Sequence, residues 1–101
     1  MTVGCDTLTV SVQIGNSDDK LTQKEWSEFV QSIGDSIITY KGHIHFCGGS
    51  MCQVPWQNFC WVFELENNDM VVDALREQQK RIRVKYRQDS VAWLSGVTRF
   101  I

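Results

Sequence analysis

The amino-acid sequence predicts a single α+β domain in which a four-stranded antiparallel sheet, in the order of elements β-α-β-β-α-β, carries both helices on one face. Two periodicities predict it. Apolar residues alternate with polar ones in residues 8–14 and 58–66, the repeat of strands with one buried face. They recur three and four apart after Thr22 and after Asn68, the repeat of helices with one buried stripe. Turn-forming clusters at 15–19, 48–50 and 67–69 fall between these segments.

Each element has its own justification. In the first strand Leu8, Val10, Val12 and Ile14 alternate with Thr9, Ser11 and Gln13, and Gly15-Asn16-Ser17-Asp18-Asp19 ends it. The first helix starts at Thr22, because Thr22 and Glu25 have the spacing of a capping box and Leu21 and Trp26 that of a hydrophobic staple. Trp26, Phe29, Val30, Ile33 and Ile37 form its stripe, and Gly34 is expected to mark its fraying end. Residues 38–47 read as the second strand, with Ile44 and Phe46 on one face and His43, His45 and Cys47 on the other. A long exposed loop at 48–58 follows, where the missing N–H of Pro55 costs nothing. In the third strand Phe59, Trp61, Phe63 and Leu65 alternate against Cys60, Val62 and Glu64. Asn67-Asn68-Asp69 caps the second helix, whose looser stripe is expected through Val71 or Val72, Leu75, Gln78, Ile82 and Tyr86. Residues 90–101 make the last strand, with Val91 and Trp93 on one face and a bulge or bend at Gly96. Two right-handed crossovers in this order give a ferredoxin-like sheet whose second face is open. A polar open face predicts a monomer; one that carries Trp61 or Phe59 predicts burial in a homodimer or against a partner.

Composition excludes several classes. With 43% hydrophobic and 22% charged residues and four Trp, the chain is neither disordered nor fibrous. No window approaches the roughly 18 apolar residues of a membrane span. Residues 1–9 lack a basic start followed by an apolar stretch, so the expected setting is cytoplasmic, with the four cysteines reduced. The net charge of −2 is unevenly spread: residues 71–101 hold seven of the ten basic side chains, clustered at Lys80, Arg81, Arg83, Lys85 and Arg87. Such a cluster meets phosphate or an acidic partner, or complements the dipole of its own helix end. Without an aromatic stacking surface beside it, the second reading is preferred.

Metal-ligating residue types come nearest to a site at His43-x-His45-x-Cys47, with Cys52 five residues on and Cys60 on the next strand. Alternate strand residues share a face about 6.6 Å apart, within reach of one tetrahedral zinc. The spacing matches no closed-finger pattern, and the expectation is exposed histidines and ordinary thiols with no cofactor. A Cys47–Cys52 disulfide stays open, subject to the Cα separation. Cys60, flanked by Phe59 and Trp61, sits in apolar surroundings that raise a thiol's pKa and blunt it as a nucleophile. Asp18 and Asp19 are adjacent in a turn, where side chains diverge, and make a poor acid–base pair. No G-x-x-x-x-G-K or G-x-G-x-x-G is present, which excludes nucleotide binding by those loops.

What remains is polar loop segments at 15–20, 55–58 and 87–90. With strands one and three central and antiparallel, the first ends where the third begins, and the fourth starts at the same end. The three segments are therefore expected on one rim. There Trp56 offers a stacking surface, Lys20 and Arg87 are cationic donors, and Gln57, Asn58 and Gln88 present amides. Asn16, Asp18, Asp19, Asp89 and Ser90 complete the expected ligand- or partner-binding set.

Gly15-Asn16-Ser17-Asp18-Asp19-Lys20-Leu21-Thr22-Gln23 with Trp26, Pro55-Trp56-Gln57-Asn58 with Cys60-Trp61, and Arg87-Gln88-Asp89-Ser90-Val91-Ala92-Trp93 together resemble a group of small uncharacterised proteins encoded by phages of actinobacteria. The resemblance spans most of the chain. It implies a phage accessory protein in the cytoplasm of an infected bacterium and carries over no catalytic residue; the His43, His45, Cys47 run is not part of the pattern. The expected function is capture of a host protein or a small anionic ligand, a nucleotide included, by occupancy of the rim, to counter a host defence. Two alternatives stay open. One is a small enzyme with Asp89 or Asp19 as acid–base and Arg87 stabilising an anion; the other is a nucleic-acid binder using the 80–87 cluster.

Overall fold

The computed structural model describes residues 6–16, 20–50 and 57–101. The elements run β1 (Thr7–Gly15), α1 (Gln23–Thr39), β2 (His43–Gly49), β3 (Asn58–Glu66), α2 (Asp69–Lys85) and β4 (Ala92–Gly96). The strands form one sheet in the order β2-β3-β1-β4, every pair antiparallel, so β1 and β3 are central as expected.

The alternation in β1 and β3 decides which face is covered. Val10, Val12 and Ile14 share a face with Trp61, Phe63 and Leu65 through the pairs Val10↔Phe63 and Val12↔Trp61. All six are buried in one cluster with Trp26, Phe29, Ile33 and Ile37 of α1 and Leu75 and Ile82 of α2. Both helices therefore lie on that face. Phe59 and Trp61 point towards the helices, and the open-face positions of the two central strands are Thr9, Ser11, Gln13, Cys60, Val62 and Glu64.

The capping box that marks the start of α1 is formed: the Glu25 N–H donates to Thr22 Oγ1 at 3.1 Å, and the Thr22 N–H donates to Glu25 Oε1 at 3.1 Å. Leu21 and Trp26, on either side of the cap, are both buried. The helix does not fray at Gly34 but continues through Thr39, so β2 begins at His43 and not at Ile38. Gly34 sits mid-helix beside Trp61, where a Cβ would lie 3.4 Å from the indole Nε1, close to ordinary van der Waals contact. In α2 the buried stripe passes through Leu75, Gln79 and Ile82, not Gln78. The pattern had to choose between two adjacent glutamines, and the one four residues after Leu75 faces inward.

Both helices end in the same way. Lys41 and Arg87 adopt left-handed backbone (φ 62° and 58°). At α1 the Lys41 N–H donates to the Ile38 carbonyl at 2.9 Å and the Gly42 N–H to that of Ile37 at 2.8 Å. At α2 the Arg87 N–H donates to Val84 at 3.1 Å and the Gln88 N–H to Arg83 at 3.0 Å. These are Schellman closures with a cationic residue where glycine is usual, at a cost of about 1 kcal/mol each.

In β2 the register slips between Ile44 and Phe46: Ile44 pairs with Phe63 and Phe46 with Val62, which leaves His45 as an extra residue. The bulge overturns the expected alternation. Ile44 faces the helices, Phe46 turns to the open face, and His43, opposite Glu64, lies on the other face from Cys47, opposite Trp61. Strand β4 is shorter than expected, ending at Gly96.

Candidate functional site

The ends of β1 and α2 and the starts of α1, β3 and β4 meet at one end of the sheet, and the side chains between them are interlocked. Asn16 is 3% exposed and joins two segments. Its backbone N–H donates to the Gln57 carbonyl at 2.9 Å. Its Nδ2 donates to the Leu21 carbonyl at 3.2 Å and to Gln57 Oε1 at 3.1 Å, and its Oδ1 accepts the Leu21 N–H at 3.1 Å. Gln57 in turn exchanges amide hydrogen bonds with Gln23, at 3.2 Å in one direction and 2.9 Å in the other.

The segment after α2 is tied to the same place by charge. Arg87 Nη2 donates to Glu25 Oε2 at 2.9 Å and to the Lys20 carbonyl at 3.4 Å, and Lys20 Nζ lies 3.7 Å from Asp89 Oδ1. Arg83 Nη1 donates to the carbonyls of Gln88 and Asp89 at 2.9 and 3.2 Å. The side chain of Gln88, 8% exposed, donates to the Tyr86 carbonyl at 3.1 Å. This end of the molecule holds the N-terminus of α1 and the C-terminus of α2, so Glu25 and Arg87 each face the helix end whose dipole favours them.

The described residues of the three segments thus share one rim, with divided roles. Asn16 and Gln88 are buried and position the loops; Gln57, Lys20, Arg87, Asp89 and Ser90 stay accessible. Asn58 belongs to β3, where its backbone is held by the Ser50 hydroxyl, and its position falls on the open-face side. Asp18, Asp19 and Trp56 lie outside the described residues. The sequence reading missed Gln23, whose partner is 34 residues away, and read Glu25 only as a cap, because nothing local announces either contact.

The histidines of β2 stack edge to face at 4.8 Å, and His45 Nε2 lies 3.7 Å from Glu64 Oε2. Among the described residues no group of three metal-ligating side chains converges, and the bulge parts His43 from Cys47; Cys52 lies outside them. Cys47 and Cys60 are free thiols, and Cys60 contacts Ser11 Oγ at 3.6 Å across the open face. Among the described residues no helix is long and apolar enough to cross a membrane.

The Thr22 backbone N–H and, after it, the Arg87 guanidinium hold the Glu25 carboxyl below its ordinary value of 4.5. A depressed carboxylate contributes stability that is present above its unfolded value and lost as pH falls through the folded one. Stability should therefore begin to fall below about pH 4.5. In Glu25→Gln the acid limb of a urea-unfolding series should be flatter; an unchanged limb would remove Glu25 from the linkage.

No family model matches the chain, and no curated protein does. Solved structures share its fold. A de novo designed protein, Foldit4, is 9% identical over 92% of this chain and 99% of its own, with a TM-score of 0.64. A dimeric ferredoxin-like protein of unknown function from Thermobifida fusca is 8% identical over 97% of each chain, with a TM-score of 0.63. A phage SAM lyase in complex with S-methyl-5′-thioadenosine is 11% identical over 95% of this chain and 84% of its own, with a TM-score of 0.55. The chain has a ferredoxin-like α+β fold, and at these identities the likeness extends to the fold alone.

Proposed function

We propose that the chain is a phage-type accessory protein of the bacterial cytoplasm that captures a host protein at the rim and acts by occupancy. One observation carries this reading: loops distant in sequence are locked into one surface by buried Asn16 and by the Arg87–Glu25 and Lys20–Asp89 pairs. A surface organised before binding loses less entropy on association. The pairing also favours a protein over a small anion. An anion would have to displace Glu25 from Arg87 and Asp89 from Lys20, whereas a protein surface of mixed charge can meet the alternating signs as they stand. Asp89, 92% exposed in its side chain and paired with Lys20, stands on an open surface and not in a cleft, which supports binding over acid–base catalysis.

The open face carries neither Phe59 nor Trp61, yet Phe46 and Leu94 keep it from being polar throughout, and we propose further that a second copy of the chain covers it. Phe46, Val62, Ser11 and Leu94 form one row across all four strands, with Phe46 57% and Leu94 70% exposed. Beside it a 380 Å³ groove is lined by Thr9, Ser11, Leu94, Val97 and Thr98, and the Thr9 and Thr98 hydroxyls touch. Four strands about 4.8 Å apart and up to nine residues long give a footprint of several hundred Å². That approaches the roughly 800 Å² per partner of a stable interface. The Thermobifida fusca protein is described as dimeric in the same fold.

Native mass spectrometry of the tagged protein recovered from host lysate tests both readings. Wild type should carry one defined host protein per chain and a mass twice 11.7 kDa for the chain itself. Trp56→Ala and Arg87→Glu should each lose the host protein by more than about 1 kcal/mol in binding, and Leu94→Asp should be monomeric. Capture that survives both rim variants would refute the rim; a Leu94→Asp protein still dimeric would refute the open face.

A further inference from the structure

The buried stripe of α2 contains a polar residue whose amide nitrogen has no hydrogen-bond partner. Gln79 stands between Leu75 and Ile82, is 2% exposed, and its Nε2 has no hydrogen-bond partner. An orphaned buried amide destabilises a fold by about 1–3 kcal/mol, a cost that leucine at the same place would avoid. The surroundings supply a reason for the amide. Gln79 lines a 130 Å³ cavity with Arg76, Lys80, Arg83, Val91 and Trp93. Its volume is several times the roughly 30 Å³ share of one water, enough for a tetrahedral oxyanion.

The three cations project from one side of α2 at i, i+4 and i+7. Arg76 is held 5.7 Å above the Trp93 ring, and Arg83 is held by the carbonyls of Gln88 and Asp89. Among the described residues none of the three has a carboxylate within 4.0 Å. Three like charges around an unpaired donor repel one another until an anion enters, and a doubly charged one satisfies most of them at once. The adjoining groove shares Arg76, Lys80 and Arg83 but adds Asp73, Glu77 and Asp89. Those carboxylates repel a long polyanion and confine the favourable region to one phosphate group, which argues against a nucleic-acid strand.

We infer that the cleft between α2 and β4 is a binding site for a phosphate group, with Gln79 Nε2 as its buried donor and Arg76, Lys80 and Arg83 as its cationic wall. The site is separate from the rim amides and does not rest on the rim's capturing a protein. The phosphate is either free or borne on a nucleotide.

Thermal unfolding of the whole chain at constant ionic strength, with inorganic phosphate, AMP, adenosine or chloride at millimolar concentration, tests it. Phosphate and AMP should both raise the Tm of wild type by several degrees, and adenosine and chloride should not. Equal shifts from phosphate and AMP identify the free ion as sufficient; a larger AMP shift identifies the nucleotide. Gln79→Leu should melt higher than wild type without ligand and show no phosphate shift. Lys80→Gln, an exposed change that leaves the core intact, should weaken phosphate by about tenfold or more, as isothermal titration reads it. No response of wild type to phosphate or AMP, an equal response to chloride, or a Gln79→Leu protein that still responds would overturn the proposal.

Discussion

Replacing Asn16 with Ala should lower the free energy of unfolding by about 3 kcal/mol, the largest effect of any single change at the rim. The side chain makes three hydrogen bonds in a place that water does not reach. Its loss leaves the Leu21 N–H and carbonyl short of a partner just before the cap of α1, and takes one of two donors from Gln57 Oε1. Buried groups left without partners cost more than the average hydrogen bond contributes, which is why the estimate exceeds the usual 1 kcal/mol per bond. The rim should loosen with it, so if the proposed capture takes place there, Asn16→Ala is expected to weaken it although Asn16 itself is buried. Urea unfolding gives the free energy. A midpoint shift worth less than about 0.5 kcal/mol would show that the loops are joined by something other than this amide.

Gly42→Ala should be as damaging for the opposite reason. A Cβ at Gly42 would stand 2.5 Å from Ile37 Cγ2 and 3.0 Å from both the Ile37 carbonyl oxygen and Phe63 Cδ2. The carbonyl is already bonded to the Gly42 N–H at 2.8 Å, and Ile37 and Phe63 are fully buried, so no neighbour can yield without disturbing the core. Overpacking of this kind costs about 3 kcal/mol. In a domain this small that corresponds to a Tm lower by roughly 12–24 °C. Gly96→Ala, with nothing within 4 Å of the added carbon, is the control and should leave the melt unchanged. A Gly42→Ala protein that melts with the control would mean that the turn after α1 has room to move.

The parts of this fold that were legible in sequence are those written in short-range pattern. Val10, Val12 and Ile14 alternate, Thr22 and Glu25 stand three apart, and the strand order follows from the order of elements, so the meeting of the 16, 57 and 87–90 segments was predictable from topology. Features that depend on contact across the chain were not. Gly34 looks like a helix stop because glycine usually is one, yet the apolar stripe runs on through it, with Ile33 and Ile37 both buried against the sheet. The Schellman closures were invisible because Lys41 and Arg87 stand where glycine is the usual signal. Asn16 and Gln88 read as exposed turn amides, yet both are buried and donate to groups inside the protein. Gln79 was passed over for Gln78, since two neighbouring amides give periodicity nothing to distinguish.

The extra residue in β2 bears on how the length of this chain can vary. Pairing resumes on either side of His45 as though it were not there, Ile44 against Phe63 and Phe46 against Val62. A homologue shortened by that one histidine would keep every rung of the ladder and every side chain on its present surface, losing only local coil in the strand. Gaps in this lineage should therefore collect at position 45, whereas a deletion one step inside β1 or β3 would exchange inner for outer residues along a whole central strand.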